Sequence, residues 1–382
     1  MILHLLEDDK NIIKRTVSMY EKLAPEGNEY WVEDAGKHVF SYLEKQDLVK
    51  RLSFDNLMDK IVLSKYRAII FHALSPSKIS FLCQLPKRTN IKLVWILWGA
   101  DMYNHISLKG YKLLNYKPSI FNIKDRMLFY GNWKGIIPER LKKITKNNNP
   151  ILANFETAIS KLDIICAYQE DFSLLKKYFP TISAECLFYN YYPIELSLGT
   201  NLVNRQVIGN NILVGNSASK ENNHYSAFRT IKNIKHTGRI IVPLSYGDSS
   251  YGKFVVKKGY KTLGNNFMPL VDFLPIDEYY KLLLSCGIVI MPHLRQQAIG
   301  NIIVPLYLGA KVFLYEENPL YLFFTKIGMT VFSINKMTNS DKEFELLDQN
   351  TISKNREIIE KYFSTEATER YIFTLIQTIN KE

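Results

Sequence analysis

The sequence predicts an α/β protein built from two doubly wound, Rossmann-like domains, and three observations carry that expectation. Residues 91–98 form a near-continuous apolar run, as a central parallel strand buried on both faces requires. Short apolar runs alternate along the chain with segments of helical period, the pattern that wraps helices around a parallel sheet. The chain has 382 residues, more than one hydrophobic core usually organises, so two domains of similar size are expected.

Taken in order, residues 1–6 read as the first strand and 11–23 as the helix that follows. Residues 30–32 and 38–40 read as short strands, and 54–64 carry a helical period. A clear strand at 68–71 ends at His72, and a helix at 76–85 begins with Pro76, which the first turn tolerates. The apolar run then closes on Gly99-Ala100-Asp101. A strand at 163–167, a helix near 171–179 and a strand at 186–188 complete this half. Residues 190–209 hold Pro193, Gly199 and Gly209 without strong periodicity and read as a junction. A second series follows, with a strand at 211–214, a helix at 225–234, a strand at 239–244 and a helix at 277–285. It ends in strand, loop, helix and strand over 288–315. A mostly helical tail runs over 355–379 with a break near Ser364. These readings divide the chain into domains at 1–195 and 209–352 and a helical tail at 353–382.

Composition narrows the function classes. Hydrophobic residues at 47% and charged residues at 23% describe a folded protein and exclude a disordered one. The four cysteines lie inside apolar stretches without paired spacing, which points to free thiols and excludes a zinc motif. The opening MILHLLEDDK lacks the basic and apolar regions of a signal peptide, and no window approaches 18 apolar residues. The net charge of +12 is concentrated: between Lys109 and Lys146 ten Lys/Arg face two acids. Tyr111, Tyr116, Phe121, Phe129, Tyr130 and Trp133 interleave with them. Such a stretch suits an anionic membrane surface or a single-stranded nucleic acid. No RNA-binding signature accompanies it, so no nucleic acid partner is expected.

Chemistry concentrates at the ends of the expected strands. In the second half, Gly215-Asn216-Ser217, then Ser245-Tyr246-Gly247, then Arg295 through Asn301 each follow a strand, and in a parallel sheet such ends share one edge. Gly215 allows close backbone approach, Asn216 or Ser217 can cap the next helix, and Tyr246 can stack on a base. Arg295 offers a planar fork of donors for phosphate. The helix that starts at Ile302 points its N-terminus at the same place, beside Gln296, Gln297, Ile299, Gly300 and Asn301. His224, at a helix start, belongs near this group. In the first half Asp101 can cap a helix, take the proton of an attacking hydroxyl or orient an acceptor. His72 is a second candidate base. The edge in the second half reads as the phosphate and sugar site of a nucleotide-linked donor. No paired-aspartate metal motif is present, so a metal-free transfer from that donor without a cofactor is expected, with the leaving diphosphate held by Arg295 and helix-end amides.

The segments WILWGADMY, ILVGNSASKENNH, IIVPLSYG, LRQQAIGN and GAKVFLYEENPLY together resemble one family, from the first strand to about Tyr321. It is that of the bacterial TDP-N-acetylfucosamine:lipid II N-acetylfucosaminyltransferases, glycosyltransferase family 56, also labelled 4-alpha-L-fucosyltransferases. The resemblance implies a GT-B fold, with two Rossmann-like domains facing a central cleft and a C-terminal helix closing the pair. It implies transfer of a deoxyaminosugar from a TDP- or UDP-sugar to an undecaprenyl-diphosphate-linked glycan. The setting would be assembly of enterobacterial common antigen, O-antigen or capsule, with the enzyme peripheral on the inner face of the bacterial membrane. Two other readings of the same scaffold are a non-catalytic nucleotide-sugar or glycan-binding module and a nucleotide-sugar epimerase.

Overall fold

A computed structural model describes residues 1–34, 48–86, 90–131, 149–232, 237–338 and 344–381. They divide into two compact units. The first comprises Met1–Tyr111, Lys146–Tyr191 and Thr365–Glu382, and the second Lys112–Thr145 and Tyr192–Ser364.

The first unit is organised by a seven-stranded parallel sheet. Its strands are β1 (Ile2–Leu6), β2 (Asn28–Glu33), β3 (Val49–Leu52), β4 (Ala68–His72), β5 (Lys92–Ile96), β6 (Ile164–Cys166) and β7 (Glu185–Leu187). They lie in the order β3-β2-β1-β4-β5-β6-β7. β1 and β4 are buried along their whole length, including His4 and His72, as strands covered on both faces require. The helix Lys10–Leu23 starts where the Asp9 carboxylate accepts the N–H groups of Asn11 and Ile12. Its Ile13, Val17 and Tyr20 share a core with Ile372, Leu375 and Ile379 of the helix Thr365–Asn380. The tail break lies at Ser364, between the helices Gln349–Phe363 and Thr365–Asn380. There the chain passes from the second unit to the first.

The second unit holds a six-stranded parallel sheet of β8 (Ile212–Val214), β9 (Ile240–Pro243), β10 (Phe267–Leu270), β11 (Ile288–Met291), β12 (Lys311–Leu314) and β13 (Phe332–Ser333). Its order is β10-β9-β8-β11-β12-β13. Each sheet therefore changes winding direction once, between β1 and β4 in the first unit and between β8 and β11 in the second. In open α/β sheets the crevice beyond the strand ends at such a point is where ligands bind.

Several expectations need correction. The 190–209 junction contains the helix Ile194–Leu202, whose period is hidden because Gly199 breaks it at φ 56°, ψ −179°. Residues 54–64 form only the short turns Leu57–Lys60 and Leu63–Lys65. The helix Ser249–Leu263 was not expected, because Gly252 and Gly259 interrupt its pattern; Gly259 is needed there, since a Cβ would stand 2.2 Å from the Phe267 ring. β3 and β10 were also missed. Both are sheet edges, β3 with Lys50 and Arg51 in a four-residue strand and β10 with Pro269, and such edges lose the alternation of an interior strand. Expected strand 38–40 and Trp133 lie outside the described residues.

The basic, aromatic stretch is also arranged differently from the expectation. Phe121 and Phe129 are buried in the core of the second unit, and Tyr116 and Tyr130 pack against it. The helix Ile123–Tyr130 docks on Ser249–Leu263 through Asp125, which is bridged by Lys257 at 2.7 Å and Lys258 at 2.6 Å. These aromatics are core residues, not a lipid- or base-facing row.

Candidate active site

In the second unit the strand order brings the three polar turns together. Gly215 ends β8 at φ +68°, and its N–H donates to Ile290 O of β11. Asn216 Nδ2 donates to Tyr246 Oη at 2.7 Å, and the Ser217–Ala218 segment bridges to Gly247, so the β8 and β9 turns are one surface. Neither Asn216 nor Ser217 caps the next helix. Ser217 Oγ accepts from Asn222 Nδ2, and Asn223, in the left-handed region, is the cap residue.

Asn222 is the centre of this arrangement and was not singled out from sequence. It is fully buried, and its Oδ1 accepts the Asn216 N–H at 2.9 Å and lies 2.9 Å from His293 Nε2. An amide oxygen only accepts, so His293 carries its proton on Nε2, and its Nδ1 lone pair has no protein partner among the described residues. His224 lies fully buried beneath Gly215, with Nδ1 3.2 Å from Tyr251 Oη. Burial holds the neutral form of both rings, lowering His224 to about 3 and His293 well below its ordinary value.

The turn after β11 is fixed from two sides. Asn318 is fully buried, and its Nδ2 donates to the carbonyls of His293 and Arg295 while its Oδ1 caps the helix Pro319–Lys326. Arg295 Nε donates to Glu221 Oε2 at 2.6 Å, and its Nη1 to Gln296 O at 3.0 Å. Gln296 is buried, and Gln297 Oε1 has no protein partner among the described residues. Ala298, at φ 57°, sets up the helix Ile299–Tyr307, whose first N–H groups lack intrahelical partners. Ile299 is buried at its start, Gly300 faces Tyr192, and Asn301 Oδ1 accepts from Tyr279 Oη. Phe273, 76% exposed, lies with its ring 12° from parallel to Tyr246 at a centroid distance of 6.5 Å. It adds a second aromatic face to this edge that sequence reasoning did not single out.

Replacing Gly215 by Ala tests the close packing of this edge. A Cβ would stand 2.6 Å from Asn222 Oδ1 and 2.8 Å from His224 Nε2, in a backbone region that itself costs an L-residue roughly 1–2 kcal/mol. We expect thermal unfolding to move down by several degrees; an unchanged midpoint would show that the turn is not held against Asn222 and His224.

The edge of the first unit carries charge instead. Asp101 is in the first turn of the helix Ala100–Leu108 but does not cap it; Gly99, at φ 99°, is the cap residue. Its carboxylate accepts from Leu74 N at 3.1 Å, Trp95 Nε1 at 2.8 Å and Trp98 N at 3.2 Å. Burial raises its pKa and these donors oppose the rise. His72 is buried at the end of β4, with Nε2 3.1 Å from His4 Nδ1, and His4 Nε2 is 3.2 Å from Asn28 Oδ1. Lys78 was missed by sequence reasoning. It has no exposed side-chain surface, and its Nζ is held by Glu7 Oε1 at 2.5 Å, His72 O at 2.9 Å and Ala73 O at 3.3 Å. Glu7 and Ala73 follow β1 and β4, the two strands at the winding reversal of this sheet.

The profile of the 4-alpha-L-fucosyltransferase family, glycosyl transferase group 56, matches residues 156–375, more than half of the chain. The chain belongs to this family. Among solved structures, a glycosyltransferase from Rickettsia africae is similar over 100% of this chain and 98% of its own, at 12% identity and a TM-score of 0.60. Anabaena HepE in complex with UDP matches over 99% of each chain at 11% identity and a TM-score of 0.60. WaaG, a glycosyltransferase involved in lipopolysaccharide biosynthesis, matches over the full length of both at 10% identity and a TM-score of 0.57. At these identities the likeness is one of fold, and the fold of this group 56 family member is GT-B. Its activity class is glycosyl transfer.

Proposed function

We propose that this glycosyltransferase moves a deoxyaminosugar such as N-acetylfucosamine from a TDP- or UDP-sugar to an undecaprenyl-diphosphate-linked glycan in bacterial surface polysaccharide assembly. The observation that carries the reading is the winding-reversal edge of the second unit. There Gly215-Asn216-Ser217, Tyr246 and the turn Arg295–Asn301 are built into one surface ending in a helix N-terminus. An anion is favoured at that N-terminus, and the Arg295 guanidinium, ion-paired with Glu221, lies in the turn that leads to it. Tyr246 and Phe273 offer planar faces for a nucleobase. His224, buried beneath Gly215, supports the turn from below. In this reading the leaving diphosphate is stabilised by fixed protein donors, in the metal-independent form of the reaction.

On the first unit, the acceptor hydroxyl needs a proton acceptor. Asp101, held by three N–H donors, serves as a positioning residue that ties the loop at Leu74 to the end of β5. His72 supports the same edge from within, its ring turned to His4 and its carbonyl to Lys78. Glu7 is assigned as the base. As the acceptor oxygen bonds to the anomeric carbon and the carbon–oxygen bond to the diphosphate breaks, the hydroxyl proton passes to the Glu7 carboxylate. The protein acts peripherally at the inner membrane face; no described helix is long and apolar enough to cross a membrane.

The test is thermal stabilisation by TDP, UDP, GDP and CDP side by side. A ligand at a hundred times its dissociation constant adds about 2.7 kcal/mol to folded-state stability. TDP or UDP should raise the midpoint, and Arg295→Ala should reduce that rise. Equal responses to all four nucleotides, or to none, would remove the donor site from this edge.

A further inference from the structure

The helix Ile123–Tyr130 is two-sided. Its inward side carries Phe129 and Asp125, both buried against the helix Ser249–Leu263. Ile123 and Met127, four residues apart and so on one face, point the other way with 59% and 45% of their surfaces exposed. Ile120, in the turn Pro118–Ile120 just before the helix, is 56% exposed. Three large aliphatic side chains thus stand exposed, while Phe121 and Phe129 lie in the core and Tyr116 and Tyr130 pack against it.

The charged side chains of the two helices are cations apart from Asp125, and Asp248, which caps the second helix, is bridged by Lys220. Lys117 and Lys124 are exposed beside the aliphatic residues, and the nearest acid, Asp125, is buried and doubly bridged. The helix packed alongside, Ser249–Leu263, contains four lysines and no acid. Its Lys253, Lys257 and Lys261 are exposed on one stripe with Tyr260. No sequence feature assigned this second helix to any partner.

We infer that these two adjoining helices form a docking face for an anionic lipid surface. Lysines supply attraction to lipid headgroups, and Ile120, Ile123 and Met127 enter the boundary between headgroups and acyl chains, the division of labour that holds amphipathic helices at an interface. Ile120, Ile123 and Met127 give bases nothing to stack on, and Tyr260 offers a single ring where a single strand stacks on successive ones, which favours lipid over a single-stranded nucleic acid. The inference deepens the peripheral placement proposed above by naming the surface, and it is independent of the donor edge.

The test is co-sedimentation of the full chain with phosphatidylglycerol-containing vesicles and with neutral phosphatidylcholine vesicles. Binding should require the anionic lipid and weaken with salt. The double variant Ile123→Asp, Met127→Asp and, separately, Lys253→Glu with Lys261→Glu should each reduce it about tenfold or more, because each removes one of the two contributions. All four side chains are exposed, and the two pairs lie on different helices, so failure of one variant to fold leaves the other as the test. The nucleotide-dependent thermal shift should survive in both variants, which separates failure of this face from failure of the donor reading. No binding to anionic vesicles, equal binding to neutral ones, or binding unchanged in both variants would overturn the inference. So would salt-sensitive binding to oligonucleotides in place of vesicles.

Discussion

Replacing Glu7 with Gln is expected to lower the rate of glycosyl transfer by about a hundredfold to ten-thousandfold, the usual contribution of a positioned base. The expectation comes from comparing the carboxylates near the ends of β1, β2 and β5. Asp8 is bound by both terminal nitrogens of Arg51, and Asp34 lies 3.6 Å from one of them. Asp9 is used as a helix cap, Glu33 accepts from Ser75 and Ser77, and Asp101 accepts from three N–H groups. Glu7 instead has 29% of its side chain exposed and one oxygen on Lys78. The ammonium is fully buried, and burial lowers its pKa while Glu7 opposes the shift. A buried charge left without its partner costs several kcal/mol, so the Glu7→Gln protein should also be less stable. Two further measurements separate chemistry from stability. Nucleotide-dependent stabilisation should be unchanged, because Glu7 and the donor edge belong to different units. Added formate should restore part of the transfer activity of Glu7→Ala, which a merely structural carboxylate would not do. Full activity in a folded Glu7→Gln protein would remove the assignment.

The architecture was legible because parallel strands buried on both faces leave an unmistakable record. Runs such as IVIM in β11 and IIFH in β4 are what helices on both sides of a sheet demand. That the three polar turns of the second unit meet was legible for the same reason, since strand ends in a parallel sheet share one edge. What the sequence hid were residues whose role depends on a neighbour far along the chain. Lys78 is one lysine in an ordinary helical segment; only the fold shows its ammonium sealed against Glu7, 71 residues earlier. Asn222 and Asn318 look like turn asparagines, yet each joins loops that sequence spacing cannot connect. Asn222 meets His293 from 71 residues away, and Asn318 reaches back to the carbonyl of His293. In the described part of the stretch that starts at Lys109, the inward-facing aromatics were hidden for a complementary reason. Its aromatics and cations have no clean period, and which of them face inward is decided by Asp125 reaching the lysines of a helix more than 130 residues later.

Acid should destabilise both units together, beginning below pH 6.5. Five buried histidines among the described residues are held neutral: His4, His72 and His105 in the first unit, His224 and His293 in the second. Burial is the main cause in each case, lowering His4 and His224 to about 3, His72 and His293 well below the ordinary value, and His105 below it. Positive neighbours add to it, Lys78 near His72 and Arg295 near His293. Between the folded and unfolded values the unfolded chain binds more protons, so stability rises with pH. The contribution is complete above 6.5 and is lost as pH falls toward 3, at ~1.4 kcal/mol per histidine for each pH unit. At pH 5.5 two such residues in one unit remove roughly 2–3 kcal/mol, a large part of the 5–15 kcal/mol typical of a folded domain. Denaturant midpoints measured from pH 8 to pH 5 should be flat at first and then fall steeply. Replacing His4 by Gln should make that fall shallower, because one proton-binding site is gone from the unfolded chain, although the variant begins less stable for want of the His72 and Asn28 contacts. A midpoint that stays level down to pH 5 would mean that these rings accept protons in the folded protein, and that the chain from His72 through His4 to Asn28 is not the closed, neutral network its geometry describes.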